Sequence, residues 1–148
     1  TSSGDGGTDG GTDGTNGGFT AAARPWERLQ KGFETRNVAA QSADPDSLLS
    51  HYRRLIRLRQ AEPALLRGDL RLLETGRDDV IAWQRSAEGR TLTVVANLGA
   101  TDVQALRLPG VDGPLDDLLG GVPVNGGGIE LAPRSVRVLA PARLAASQ

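Results

Sequence analysis

The hydrophobic period of the chain changes once, and this change limits the folds available to it. Within residues 44–62 the apolar side chains recur every three or four positions, which predicts one amphipathic helix. From Leu70 onward apolar and polar residues alternate, which predicts short β-strands. The alternating segments are residues 80–85, 92–97, 106–108 and 136–138. The pattern therefore predicts a mainly β fold preceded by a single helix.

The residues at the two ends of the helical segment predict where the helix starts and stops. Asp44 is a suitable N-cap, and Pro45 suits the first helical position because it lacks the N–H that would be unpaired there. Pro63 interrupts the hydrogen-bond ladder, so the helix should end near Ala61 or Glu62.

Turn residues divide the alternating half into closely spaced strands. The loops between them are too short for the crossover helices that parallel pairing requires. The expected fold is an antiparallel Greek-key β-sandwich of about 80 residues. The glycine-rich stretch at 125–128 reads as a hairpin turn, because no phosphate-binding Lys-Ser/Thr follows it.

The chain is predicted to have four parts: a low-complexity arm (1–18), an irregular connector (19–43), the helix (44–66) and the β-domain (67–148). The arm contains only Thr, Ser, Gly, Asp and Asn, which predicts disorder. Calcium binding by the arm is disfavoured, since it lacks the nine-residue period and the apolar position of calcium-binding β-rolls. The chain starts at Thr1 and has no methionine, so we interpret it as a fragment or processed product.

The composition excludes several classes of function. The 148 residues carry a formal net charge of −1, which argues against a nucleic-acid footprint and gives little attraction to an anionic membrane. No apolar run is long enough to span a bilayer and no secretory signal is evident, so we expect a cytoplasmic protein. The absence of cysteine excludes disulfides, thiolate metal sites and thiol nucleophiles.

No group of titratable residues predicts catalysis, and we expect no cofactor and no metal site. The acidic pairs at 44/46, 78/79 and 116/117 fall at a helix cap or in turns, without a second group of obvious role. His51 has no partner ligand at helical spacing. The two tryptophans, Trp26 and Trp83, are candidates for stacking on sugars, but packing is favoured for Trp83 because Ile81 lies on the same strand face.

Taken in order, several short segments resemble a known family. They are Gly18-Phe19-Thr20, Pro25-Trp26, 37–41, 44–49, 52–59, Pro63-Ala64-Leu65, 79–85, 94–98 and 131–135. The series is similar to the C-terminal part of the α-amylase superfamily, glycoside hydrolase family 13, in its α-glucosidase and oligo-1,6-glucosidase branch. The resemblance covers about residues 17–140.

This resemblance implies that the helix is the last one of an eight-fold β/α barrel and that the β-domain packs beside that barrel. The family's catalytic carboxylates lie before the matching region, so the resemblance assigns no catalytic residue to this chain. It implies a structural, non-catalytic part of a retaining α-glucosidase that acts on α-1,4 and α-1,6 bonds in carbohydrate metabolism. The expected partners are the missing barrel, an α-glucan or oligosaccharide, and a second copy of the chain.

Two alternatives stay open at this stage. The first is a stand-alone carbohydrate-binding β-sandwich module that uses an exposed tryptophan. The second is part of a transglycosidase that isomerises sucrose or maltose. The resemblance implies that such relatives react through the same covalent intermediate as the hydrolases.

Overall fold

The structure is a computed structural model that describes residues 26–27, 31–33 and 36–142. The predicted disordered arm, 1–18, lies outside the described residues, as does most of the first half of the predicted connector. The described part of the chain divides into two compact units at the Arg54–Leu55 bond.

Three helices precede the sheet, where the sequence predicted one. They are α1 (Val38–Ala43), α2 (Leu48–Ala61) and α3 (Pro63–Arg67). The connector is therefore not irregular throughout. Asn37 caps α1, since its side chain accepts a hydrogen bond from the backbone N–H of Ala40 at 2.8 Å.

The predicted start of the long helix is wrong by four residues. Asp44 is the C-cap of α1, and its Oδ1 accepts a hydrogen bond from the N–H of Asp46 at 2.9 Å, which holds Pro45 in a turn rather than in a helix. Ser47 takes the capping role for α2: its hydroxyl accepts a hydrogen bond from the N–H of Ser50 at 3.2 Å. Asp and Ser are both good N-cap residues, and in the structure Ser47 rather than Asp44 caps α2.

The predicted end of the same helix is correct, although a new helix follows directly. α2 ends at Ala61, and Pro63 then occupies the first turn of α3, where its missing N–H costs no hydrogen bond. Gly68 closes α3 by donating its N–H to the carbonyl of Ala64 at 3.0 Å.

Within residues 36–142, eight strands form two antiparallel sheets, which confirms the mainly β prediction. They are β1 (Asp69–Leu73), β2 (Val80–Ala87), β3 (Arg90–Asn97), β4 (Val103–Leu106), β5 (Pro114–Asp117), β6 (Pro123–Asn125), β7 (Ile129–Leu131) and β8 (Val136–Pro141). Six strands form one sheet in the order β1-β2-β3-β8-β5-β6, and β4 pairs with β7 in the other. After β3 the chain passes to the small sheet for β4, to the large sheet for β5 and β6 and to the small sheet again for β7. β8 then inserts between β3 and β5, which is a Greek-key type of connection.

A two-residue hairpin joins the two longest strands. Ala87 pairs with Arg90, and between them Glu88 and Gly89 have φ angles of 53° and 75°. Positive φ at both central residues is the type I′ geometry, whose twist matches that of the flanking strands. By contrast, the predicted hairpin at 125–128 is wrong: β6 and β7 pair in different sheets, so this turn carries the chain from one sheet to the other.

The sandwich core lies between the two sheets, on what we call the inner face of the large sheet. Alternate residues of β3 separate its two faces, since Val95 belongs to this core and Val94 to a second apolar cluster on the outer face. The core is formed by buried side chains from both sheets: Leu73, Val80, Ala82, Val95, Val103, Leu106, Leu108, Val111, Leu115, Ile129, Leu131 and Leu139.

Candidate functional site

The outer face of the six-stranded sheet is the main candidate for a functional surface. Strand register arranges its side chains in three rows across the sheet. The rows are Leu70–Arg85–Leu92, Leu72–Trp83–Val94–Val138 and Ile81–Ala96–Val136. Each row runs from an exposed strand near one edge toward the middle of the sheet, so the face is apolar along most of its length.

Helix α3 covers the centre of this outer face. Ala64 is fully buried there, with Leu92, Val94, Val138 and Ala140 beneath it. The partly buried side chains that complete this cluster are Leu58, Leu65, Trp83, Ala87, Leu118 and Leu119. The segment of chain that leads into the β-domain is thus already packed on this face.

Around α3 the outer face stays uncovered in the described part of the chain. Leu72 on edge strand β1 is 67% exposed, and Leu70, Ile81 and Val136 are also exposed. Contiguous exposed apolar surface, as opposed to single scattered residues, is characteristic of interaction sites. We name these four residues the rim.

Two ion pairs hold the α2–α3 junction and α3 against the β2–β3 hairpin. Arg90 donates two hydrogen bonds to Glu62, from Nε to Oε2 at 2.7 Å and from Nη2 to Oε1 at 3.0 Å. Arg67 pairs with Glu88 at the tip of the same hairpin. These contacts fix how the incoming helical segment is seated on the sheet.

The two sequence-predicted sugar-stacking candidates, Trp26 and Trp83, differ in exposure. Trp83 is half-buried in the outer-face cluster, so little of its ring is free to stack on a ligand. Trp26 is 95% exposed. Neither observation tests sugar binding, and stacking by either residue stays a prediction.

In two of the acidic pairs one carboxylate has an arginine partner. Asp79 is held by Arg77 through both oxygens at 2.8 Å, and this hydrogen bonding is the main reason that the pKa of Asp79 is lowered. The same contact raises the pKa of Arg77. Asp117 is buried against Arg137, with Nη1 to Oδ2 at 2.9 Å. The geometry accounts for these carboxylates as parts of turns and strand ends.

His51 lies beside Tyr52 on α2, with the ring centroids 6.4 Å apart in an edge-on arrangement. Among the described residues, no three His, Asp or Glu side chains come together in a group that could hold a metal ion. None of the helices within residues 36–142 is long and apolar enough to cross a membrane.

A shallow depression lies at the β5–β6 end of the large sheet. It has a volume of about 350 Å³ and is lined by Gly113, Pro114, Pro123, Val124 and Asn125. Its lining offers neither a charged group nor an aromatic platform, so it is a weaker candidate than the outer face.

In class, the described fold is a β-sandwich domain with a helical segment packed on one sheet. Residues 11–68 match the family model "Alpha amylase, catalytic domain". The chain is 34% identical over 82 residues to an oligo-1,6-glucosidase of Halalkalibacterium halodurans, which covers 55% of this chain and 14% of that protein. It is 36% identical over 95 residues to a glucan 1,6-alpha-glucosidase of Streptococcus pneumoniae, covering 64% of this chain and 17% of that protein.

Solved structures are also similar to this chain. The trehalulose synthase MutB from Pseudomonas mesoacidophila MX-45 matches with a TM-score of 0.70 and 30% identity, over 86% of this chain and 24% of that one. These matches confirm the resemblance drawn from the sequence: the chain is similar to members of the α-amylase superfamily, glycoside hydrolase family 13. In the larger relatives this region is one part of a chain that also contains a catalytic domain.

Sequence reasoning missed the rim. Leu70 and Leu72 alternate with polar residues, as expected for a half-buried strand, so their pattern alone does not show that the apolar side is the uncovered one. The missing signal was the strand order, since the position of β1 at the sheet edge leaves Leu70 and Leu72 exposed.

Proposed function

We propose that this chain is the C-terminal region of a retaining α-glucosidase-type glycoside hydrolase and that it supports the catalytic domain without supplying catalytic carboxylates. The observation that carries the proposal is the packing of α3 on the outer face of the large sheet. The match to the catalytic-domain family ends at residue 68, and Ala64 and Leu65, within that match, pack on the outer face of the sheet. The sheet begins one residue later, at Asp69.

The same observation supports a domain boundary near residues 66–68. The helical residues before it would belong to the barrel, and the strands after it would form the accessory β-domain. The rim adjoins the patch that α3 covers, so the rest of the catalytic domain is the natural occupant of the rim. Burying leucine side chains there would contribute roughly 1.5–3 kcal/mol each.

The first test compares activity of the 148-residue chain with that of the complete protein that contains it. The chain alone should not hydrolyse p-nitrophenyl α-glucoside, maltose or isomaltose, whereas the complete protein should. Turnover by the chain alone would contradict the proposal.

The second test places a charge on the rim. Leu72→Lys should leave the isolated chain folded but lower the melting temperature of the complete protein, because the ammonium group would be desolvated in the interface. Val122→Lys is the matched control, since Val122 is also exposed but lies on the β5–β6 turn, at the opposite edge of the sheet. If both variants melt like the wild-type protein, the outer face is not the docking surface.

A sucrose-isomerising transglycosidase is the second candidate, supported by the likeness to trehalulose synthase MutB. Analysis of the products that the complete protein forms from sucrose decides between the two. Glucose and fructose alone indicate hydrolysis, while isomers of sucrose indicate transfer.

A carbohydrate-binding module is the third candidate, supported by the exposure of Trp26. Calorimetric titration with maltooligosaccharides should give heat that is lost in the Trp26→Ala or Trp83→Ala variant if this function is correct. A cytoplasmic location also remains a prediction, which fractionation of the source cells would test.

A further inference from the structure

Arg85 is the charged residue in the middle of an otherwise apolar row of the outer face. Its cross-strand neighbours are Leu70 on β1 and Leu92 on β3. The Nε atom of Arg85 is buried and has no hydrogen-bond partner among the described residues. The side chain as a whole is half-buried, and a buried donor without an acceptor is destabilising.

Two carboxylates near the hairpin that follows Arg85 are already engaged. Glu62 is held by Arg90 through both of its oxygens, and Glu88 pairs with Arg67. Both pairs lie at the hairpin end of β2 and β3, where Glu88 and Arg90 follow Arg85 by three and five residues. Neither carboxylate is therefore free to accept from Arg85, and the surface that would cover the rim beside it is a second source of an acceptor.

We infer that Arg85 binds a carboxylate of the catalytic domain, and that this ion pair fixes the position of the β-domain within an apolar interface. The inference rests on the proposed function, because the occupant of the rim is the catalytic domain. A carboxylate is the favoured acceptor for two reasons. It neutralises the guanidinium, and its two oxygens match the fork of N–H donors that an arginine presents.

The location of Arg85 gives the pair its specificity. Leu70 and Leu72 supply apolar area, over which one domain could slide on the other. A bidentate ion pair, by contrast, forms in only one relative position of the two domains. A charge held between leucines also disfavours any partner surface that brings no carboxylate to that point.

The test uses Arg85→Met, which keeps the length of the side chain but removes its charge. In the complete protein the melting temperature should fall by at least about 3 °C, since a carboxylate is left buried without its partner. In the isolated 148-residue chain the melting temperature should stay the same or rise, because an unsatisfied donor is removed. The expected result is therefore a lower melting temperature in the complete protein and no decrease in the isolated chain.

Two further variants serve as controls. Arg71→Met removes a charge from the opposite face of the neighbouring strand and should change neither protein. Arg85→Lys keeps the charge but loses the bidentate geometry, so it should give an intermediate loss in the complete protein. Equal shifts of the two proteins in Arg85→Met would overturn the inference.

The failure of this inference is distinct from failure of the proposed function. If Leu72→Lys destabilises the complete protein and Arg85→Met does not, the docking surface stands and the ion pair is wrong. If neither variant affects it, both proposals fail. A crystal structure of the complete protein gives the direct measurement: a carboxylate oxygen within 4 Å of a guanidinium nitrogen of Arg85 is expected, and water alone at that position refutes the pair.

Discussion

Arg137 on β8 donates a hydrogen bond from Nη1 to Oδ2 of Asp117 at 2.9 Å, and the Asp117 side chain is only 3% exposed. The other oxygen of Asp117 accepts the N–H of Leu119 at 3.0 Å. One carboxylate thus joins the end of β5 to β8 and also shapes the turn that places Leu119 against the outer-face cluster. The turn after β5 therefore makes contacts on both faces of the large sheet.

Asp117→Ala should destabilise the chain by about 2 kcal/mol, because Arg137 would lose its buried counter-charge. Asp117→Asn should cost less, since the amide oxygen still accepts from Leu119. Urea denaturation measures both. Asp116→Asn is the control, because its side chain lies on the opposite face of the same strand and should change stability by less than about 0.5 kcal/mol. An equal effect at both positions would contradict this assignment.

Asn97 joins two loops at one end of the sandwich. Its Nδ2 donates to the carbonyls of Thr101 at 2.8 Å and Ala132 at 2.9 Å, and its Oδ1 accepts from the N–H of Gly99 at 2.9 Å. We expect Asn97→Ala to destabilise the chain by about 2–4 kcal/mol, since three backbone groups lose their hydrogen bonds to a buried side chain. Thermal unfolding monitored by circular dichroism gives the comparison.

Asn97→Asp is the sharper variant, because it keeps the shape but replaces the donor with an oxygen facing two carbonyls. It should be at least as destabilising at neutral pH as Asn97→Ala. Asn125→Ala is the matched control: Asn125 is exposed and makes one comparable bond, from the N–H of Gly127 at 2.9 Å, so about 0.5–1 kcal/mol is expected.

The two ion pairs at the helix–hairpin junction should differ in strength. Glu62 is 14% exposed and receives two hydrogen bonds from Arg90, whereas Arg67 and Glu88 are each 59% exposed. Glu62→Gln should therefore destabilise the chain by about 1 kcal/mol, and Glu88→Gln by less than about 0.5 kcal/mol. Chemical denaturation in low and high salt measures the difference. A larger loss for Glu88→Gln would show that exposure does not control these pairs.

The elements that the sequence predicted well are those with long, regular patterns. β2 and β3 contain eight residues each, are rich in apolar and β-branched residues and flank a turn with a glycine, so both strands were accessible. β6 and β7 have only three residues each, which is too short for a period to be recognised. α1 was missed for a different reason: Val38–Ala43 has no buried residue and therefore no apolar stripe.

The candidate site was predictable only in part. The packing preferred for Trp83 agrees with its half-buried position, because neighbouring residues on one strand face were visible in the sequence. The unpaired Nε of Arg85 was not visible, since it depends on Leu70 and Leu92 being its neighbours on the adjacent strands. Contacts across strands follow from register, which a single sequence of short strands does not specify.

Stability should depend on pH through the Arg77–Asp79 pair. Because the pKa of Asp79 in the folded chain is lowered below its ordinary value of 3.8, the pair stabilises the fold above that value. This stabilisation is lost as the pH falls through the lowered pKa. NMR titration should show the pKa of Asp79 moving up toward its ordinary value in Arg77→Gln. An unchanged titration would exclude Arg77 as the cause.

The isolated chain should self-associate through the rim, because the apolar side chains of Leu70 and Leu72 stand on an edge strand whose outer side carries no strand partner in the described part of the chain. Sedimentation velocity should show a concentration-dependent increase in mass for the wild-type chain. Leu72→Lys should shift it toward monomer, since edge lysines oppose strand pairing, while Val122→Lys should not. The complete protein should stay unaffected by concentration if its catalytic domain covers the rim. Self-association of the complete protein through the same residues would instead mean that a second copy, rather than the catalytic domain, occupies this face.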